Sequence, residues 1–165
     1  MPKRARCPHC DRLFDRDRLD DHIVKCRPKH STRNAQHVIT GRKNLILDGN
    51  NIAYYLSHDG KARAENIANA YRSLVAGGYR PTTIVSAALR HKIDKPNILI
   101  EMISDGYAIE APRRTDDDLT IIETAQKRNA DIVSNDRFLN WIKRFPWLPD
   151  RLRRYRMTPA GLILI

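Results

Sequence analysis

The chain has 165 residues, 41% hydrophobic and 30% charged, with a formal net charge of +11. That length suits one ordinary domain with a small appendage, and the composition excludes a disordered chain. No apolar run approaches the roughly 20 residues of a membrane span, and the basic start MPKRARCPHC has no apolar segment behind it, so no secretory signal is expected. A cytoplasmic protein is expected. Residues 1–44 carry 12 Lys/Arg against 5 Asp, a net of +7, and residues 45–165 carry 18 against 14, a net of +4. Such a balance points to a polyanion partner, nucleic acid above all.

All three cysteines lie in CPHCDRLFDRDRLDDHIVKC, residues 7–26. Cys7 and Cys10 have the spacing of a tight turn that aims two sulfurs at one ion. His22 and Cys26, four apart, share one face of a helix. Phe14 and Leu19 between them would form the small core of a ββα finger over residues 1–28. So short a segment cannot bury enough apolar surface alone, so metal binding would supply much of its folding free energy. Cys7, Cys10, His22 and Cys26 fit a closed tetrahedral Zn²⁺ site, which is structural and has no open position for catalysis. His9 and His30 are alternative ligands whose spacing fits less well. The arrangement resembles the ββα zinc-finger family with its last His replaced by Cys. Arg12, Arg16, Arg18 and Lys25 would contact a nucleic-acid backbone without reading its sequence. Residues 29–43 read as a basic linker.

From residue 44 strands and helices alternate. NLILD (44–48) is a short apolar run, the pattern of a buried strand. Residues 62–78 have helical spacing and stop at Gly77-Gly78. TTIVSAAL (82–89) is the second strand, and residues 95–106 form a helix with Pro96 at its start and Gly106 at its end. YAIEAP (107–112) is the third strand, DDDLTIIETAQKRN (116–129) the third helix and DIVSND (131–136) the fourth strand. RFLNWIKRF (137–145) reads as a helix ended by Pro146, with Trp141 and Trp147 expected in the core. RLRRYR (151–156) brings a second basic cluster with Arg153 and Arg154, expected to touch nucleic acid, and RRYRM and LILI read as late edge strands. The fold class is α/β, a mainly parallel sheet with helices on both faces over residues 44–165.

Ligands of such sheets bind outside the carboxyl ends of the strands. Asp48 ends the first strand, Asp136 the fourth, and Asp117 and Asp118 open the helix after the third. Taken singly, Asp116 reads as an N-cap, Asp117 and Asp118 as first-turn residues favoured by the helix dipole, and Asp136 as a cap. Capping explains each residue but not their convergence on one sheet edge. Oxygen ligands without Cys or His suit a hard cation, Mg²⁺ or Mn²⁺, whose charge offsets the repulsion among the carboxylates. In the DGNN turn Gly49 would allow a sharp bend, and Asn51 would position a water or a phosphate oxygen.

LILDGNNIA, RRTDDDLTIIETAQKRNADIVSND and their order resemble the NYN branch of the PIN-like ribonucleases. The similarity is to the Regnase (MCP-induced protein) endoribonuclease domain and covers about residues 44–158. The resemblance implies a PIN-like fold and metal-assisted hydrolysis of RNA. It implies catalytic roles for Asp48, Asn51, Asp117, Asp118 and Asp136, and a phosphate-holding role for Arg113 and Arg114. It also implies that two copies can pair head to tail. One departure is Asn140, where such domains often carry a further aspartate. The expected function is a metal-dependent endoribonuclease whose zinc finger aids RNA binding. The alternatives are an RNA-binding PIN-like module that cuts poorly, and a DNA nuclease.

Overall fold

A computed structural model of the chain describes residues 4–6, 13–15, 18, 21–22 and 43–165. Two compact units divide between Gly41 and Arg42. In the first, β1 (Arg4–Arg6) pairs antiparallel with β2 (Leu13–Asp15), and the sequence joining them holds Cys7 and Cys10. The His22 ring, on a helical residue, stacks on Phe14 with centroids 3.9 Å apart. Cys7, Cys10 and Cys26, and all of the expected linker except Lys43, lie outside the described residues.

The second unit is built on a five-stranded sheet of β3 (Asn44–Asp48), β4 (Arg80–Val85), β5 (Ala108–Glu110), β6 (Asp131–Val133) and β7 (Leu152–Arg153). Its order is β5-β4-β3-β6-β7, with every pairing parallel. The chain steps outward from β3 through β4 to β5, then crosses back to place β6 on the other side of β3. The order therefore reverses between β3 and β6, which opens a crevice at their carboxyl ends.

Period-two alternation sends the side chains of each strand to two cores. Leu45, Leu47, Val85 and Val133 face α2 (Ala64–Ala76) and α3 (Pro96–Ser104), where they meet Ile67, Ala70, Leu74 and Leu99. Ile46, Ile84 and Ile132 face α4 (Asp117–Lys127) and its Ile121, Ile122 and Ala125. Covering both faces explains why the strands are continuous apolar runs rather than alternating ones. By the same alternation Asp48 follows Ile46, and Ser134 follows Ile132, onto the α4 side.

Three local expectations change. The DGNN segment is not a turn but a short helix, α1 (Gly49–Ala53), capped by Asp48. Gly49 has no unusual φ; it is needed because a Cβ there would stand 2.5 Å from Val85 Cγ1 and 2.7 Å from the Ile84 carbonyl oxygen. The helix expected over 137–145 forms only a 3₁₀ turn, Leu139–Trp141. Phe138 adopts a left-handed conformation (φ 50°) that buries its ring in the second core while its N–H donates to Asp136 Oδ1 at 2.8 Å. Trp141 and Trp147 are half-buried against that core. Finally, only β7 joins the sheet as a late edge strand. A short helix, α5 (Leu148–Arg151), precedes it, and β8 (Tyr155–Thr158) and β9 (Gly161–Leu164) form a separate antiparallel hairpin.

That hairpin docks on α2. A Cβ on Gly161 (φ +124°) would fall 2.4 Å from Ser73 Cβ, and Leu162 N–H donates to Ser73 Oγ at 2.9 Å. The docking carries Tyr155 and Leu162 into the first core. Among the described residues no helix is long and apolar enough to cross a membrane.

Candidate active site

At the carboxyl end of the sheet an open cleft of about 410 Å³ is lined by Asp48, Asn50, Asn51, Tyr54, Tyr55, Asp117, Asp118, Asn135, Asp136 and Tyr155. Four separate segments supply these residues: the end of β3 with α1, the start of α4, the loop after β6, and β8. All four expected aspartates and Asn51 are therefore together. Asp116, Asp117 and Asp118 could offer carboxylate oxygens within 4.8 Å of one another. Of these, Asp116 is exposed and outside the cleft lining, and its Oδ1 caps α4 by accepting from Asp118 N–H at 3.0 Å. The cleft's own acidic set is thus Asp48, Asp117, Asp118 and Asp136.

Asp48 is only 6% exposed. Its Oδ1 accepts from Asn51 N–H at 3.1 Å and its Oδ2 from Ser134 Oγ at 2.7 Å. These bonds favour the carboxylate, yet burial outweighs them, and Asp117 and Asp136 add like charge, so its pKa is raised to about 6. Asp118 is also raised to about 6, by burial and then by the charges of Asp48, Asp116, Asp117 and Asp136. Two carboxyls held at that value by desolvation and mutual repulsion gain from a cation placed among them. The all-oxygen donor set fits a hard divalent ion. Asp136 lies at the exposed rim, with one oxygen on Phe138 N–H, and its own N–H donates to Ser134 Oγ at 3.0 Å.

Three asparagines knit the segments together, and a backbone N–H fixes the orientation of each carboxamide, because such a group can only donate. Ser86 N–H donates to Asn50 Oδ1 at 3.0 Å, which turns Asn50 Nδ2 towards Asp117 Oδ2 (3.0 Å) and Ser86 Oγ (2.8 Å). Asn135 N–H donates to Asn51 Oδ1 at 3.0 Å, and Tyr155 Oη–H donates to the same oxygen at 2.8 Å. Tyr155 N–H donates to Asn135 Oδ1 at 3.1 Å, and Asn135 Nδ2 returns a bond to the Tyr155 carbonyl. The Tyr155 hydroxyl is held protonated by burial and by the nearby Asp48 charge, both of which raise its pKa.

Residues 41–159, well over half the chain, match the model of the Zc3h12a-like ribonuclease NYN domain. The chain belongs to that family. Two solved structures of Arabidopsis thaliana nuclear protein-only RNase P 2 resemble this NYN protein in fold, with TM-scores of 0.60 and 0.62 at 20% and 17% identity. They align with 88% and 98% of this chain but only 35% and 41% of their own, so it spans less than half their length. Among curated proteins no sequence match is found. The mainly parallel α/β architecture is PIN-like, as expected.

The arginines of this NYN domain divide. Arg113 and Arg114 line a second cavity of about 340 Å³ with Ser86, His91 and Asp117, so it abuts the acidic cleft at Asp117. Arg114 has φ 63°, in a turn closed by Thr115 N–H on the Pro112 carbonyl. Arg154 is exposed, with Nε 3.3 Å from Asn135 Oδ1. Arg153, also expected at RNA, directs Nε to Asp131 Oδ2 at 2.9 Å, a carboxylate only 2% exposed. Asn140 is exposed and outside the cleft lining.

Sequence reasoning missed Asn50, Ser134, Asn135 and Tyr155. The first three sit inside DGNN and SND, where adjacency to the singled-out residues was a signal. Tyr155 had none, because it stands among arginines in a segment read only as a basic cluster and a late edge strand.

Proposed function

We propose that this chain is a metal-dependent endoribonuclease that hydrolyses RNA phosphodiester bonds at the Asp48/Asp117/Asp118/Asp136 cleft. The observation that carries the reading is the convergence of four carboxylates, from three segments distant in sequence, at the strand-order reversal of a ribonuclease-family domain. Asp48, Asp117, Asp118 and Asp136 would hold Mg²⁺ or Mn²⁺. Such an ion, when bound, activates water and neutralises the charge that builds on the phosphodiester. Asn50 keeps Asp117 aimed into the cleft, and Ser134 does the same for Asp48. Arg113 and Arg114 draw the strand across the adjoining cavity, and Arg154 adds a contact on the Asn135 side. Arg153, anchored on Asp131, contributes its charge next to Arg154 in the chain.

The N-terminal unit is proposed to bind Zn²⁺ through Cys7, Cys10, His22 and Cys26 and to add affinity for RNA. The β1–β2 hairpin on either side of the CPHC segment and the Phe14–His22 stack support a ββα arrangement.

The test is cleavage of end-labelled RNA in Mg²⁺ and in Mn²⁺ by wild type, Asp48→Asn and Asp117→Asn purified identically. Each substitution is expected to lower the rate about 100-fold or more, the scale of losing one preorganised electrostatic group, with RNA binding retained. Cutting that persists in both variants would sink the reading. Tight binding without cutting by any form would instead favour an RNA-binding module. Preference for single-stranded DNA would make the protein a DNA nuclease.

A further inference from the structure

Asn51 reaches the cleft with both acceptor sites of its Oδ1 already used. A carboxamide oxygen has two lone pairs, and here they take Asn135 N–H at 3.0 Å and Tyr155 Oη–H at 2.8 Å. The oxygen therefore has no lone pair left for a cation. Its Nδ2 makes no hydrogen bond to the described residues, is not sealed from solvent, and belongs to a residue that lines the cleft. The donor end of the amide is thus the end offered to a ligand, and it sits beside carboxylates that can only accept. Tyr155 has the reach to fix this because docking of the β8–β9 hairpin on α2 seats it against α1, at 2% exposure and with its ring 5.4 Å from that of Tyr55.

We propose that Asn51 donates through Nδ2 to an anionic oxygen of the substrate phosphate, and that Tyr155 is a positioning residue that locks the amide in that orientation. The proposal rests on the nuclease reading of the cleft and adds to it a donor whose contribution to rate is set from another strand. In bound substrate that donor would face the non-bridging oxygens, on which negative charge accumulates during hydrolysis.

Two variants of the full chain test it. Asn51→Asp keeps an acceptor for both Asn135 N–H and Tyr155 Oη–H but removes the donor. Tyr155→Phe removes one lock without changing charge or shape. On single-stranded RNA in Mn²⁺, Asn51→Asp is expected to lower kcat about 100-fold, with Mn²⁺ affinity by electron paramagnetic resonance maintained or increased. Tyr155→Phe is expected to lower kcat about 10-fold, the scale of losing an outer-shell partner, and to weaken RNA binding, with Mn²⁺ affinity unchanged. An Asn51→Asp protein with wild-type kcat would overturn the donor role. A Tyr155→Phe protein that loses melting temperature but not kcat would overturn the positioning role. Binding of the same RNA in Ca²⁺ separates this from failure of the nuclease reading. If wild type binds but does not cut, weaker binding by Tyr155→Phe keeps the donor geometry, and unchanged binding rejects it.

Discussion

Asp48 occupies the last residue of a central strand, where alternation places it on the α4 side of the sheet with almost no water around it. Its neighbour Gly49 then has to pass β4 at a distance no side chain allows. Gly49→Ala is expected to destabilise the fold by about 1–3 kcal/mol, the usual cost of overpacking a filled core, since Val85, Thr83 and the Ile84 carbonyl all close on the new Cβ. Denaturant titration checks this, and a neutral result would contradict the close approach. At this scale the aspartates were legible from sequence because each sits at an element boundary. The bonds of Asn50, Ser134 and Asn135 were not, since their partners lie 20 to 86 residues away.

Helix α4 begins with three aspartates that do different work. Asp116 caps the helix from outside the cleft, whereas Asp117 and Asp118 line it. Asp116→Ala is therefore expected to lower stability by about 1 kcal/mol through loss of the cap, and Asp116→Ser to restore it, with RNA cleavage near wild type in both. A large loss of activity in the serine variant would enrol Asp116 among the catalytic carboxylates. Strand β7 makes the parallel case for a basic residue. Arg153→Ala is expected to cost about 2 kcal/mol, the scale of a charge-assisted hydrogen bond to a buried carboxylate, and Arg154→Ala almost nothing. Equal melting temperatures for the two variants would mean that the Asp131 pairing is not structural. Sequence reading put both arginines in one basic cluster, because spacing along the chain does not say which side chain turns inward. The failed helix at 137–145 has a similar cause: its apolar residues were periodic, but burial of Phe138 and the claim of Asp136 on its N–H impose a left-handed residue there.

For the molecule as a whole, the chain carries a net charge of +11, yet its cleft concentrates negative charge. The two signs are complementary: cations gather a polyanion over a long range, and the cleft needs a metal to receive it. The carboxyls of Asp48 and Asp118 titrate near 6 rather than at their ordinary 3.8. A folded-state value above the unfolded one means that the folded chain binds these protons more tightly, so their stabilising contribution is present at low pH and lost as pH rises from about 4 through about 6. A divalent cation should offset that loss. The melting-temperature increase on adding Mg²⁺ or Mn²⁺ is therefore expected to be larger at about pH 7.5 than at about pH 5, and to shrink in Asp48→Asn. An increase independent of pH would place the ion elsewhere.

The sequence by itself determined the class of sheet, the carboxyl-end location of the acidic residues and the family resemblance, because these depend on local periodicity and on motifs within a few positions of one another. Only the tertiary structure decided which end of Asn51 faces the cleft, that Tyr155 belongs to the site, and that Arg153 is tied into the fold. The first two depend on the docking of a hairpin against a helix 89 residues earlier, and the third on the pairing of β7 with β6; packing between separate elements of that kind leaves no pattern along the chain.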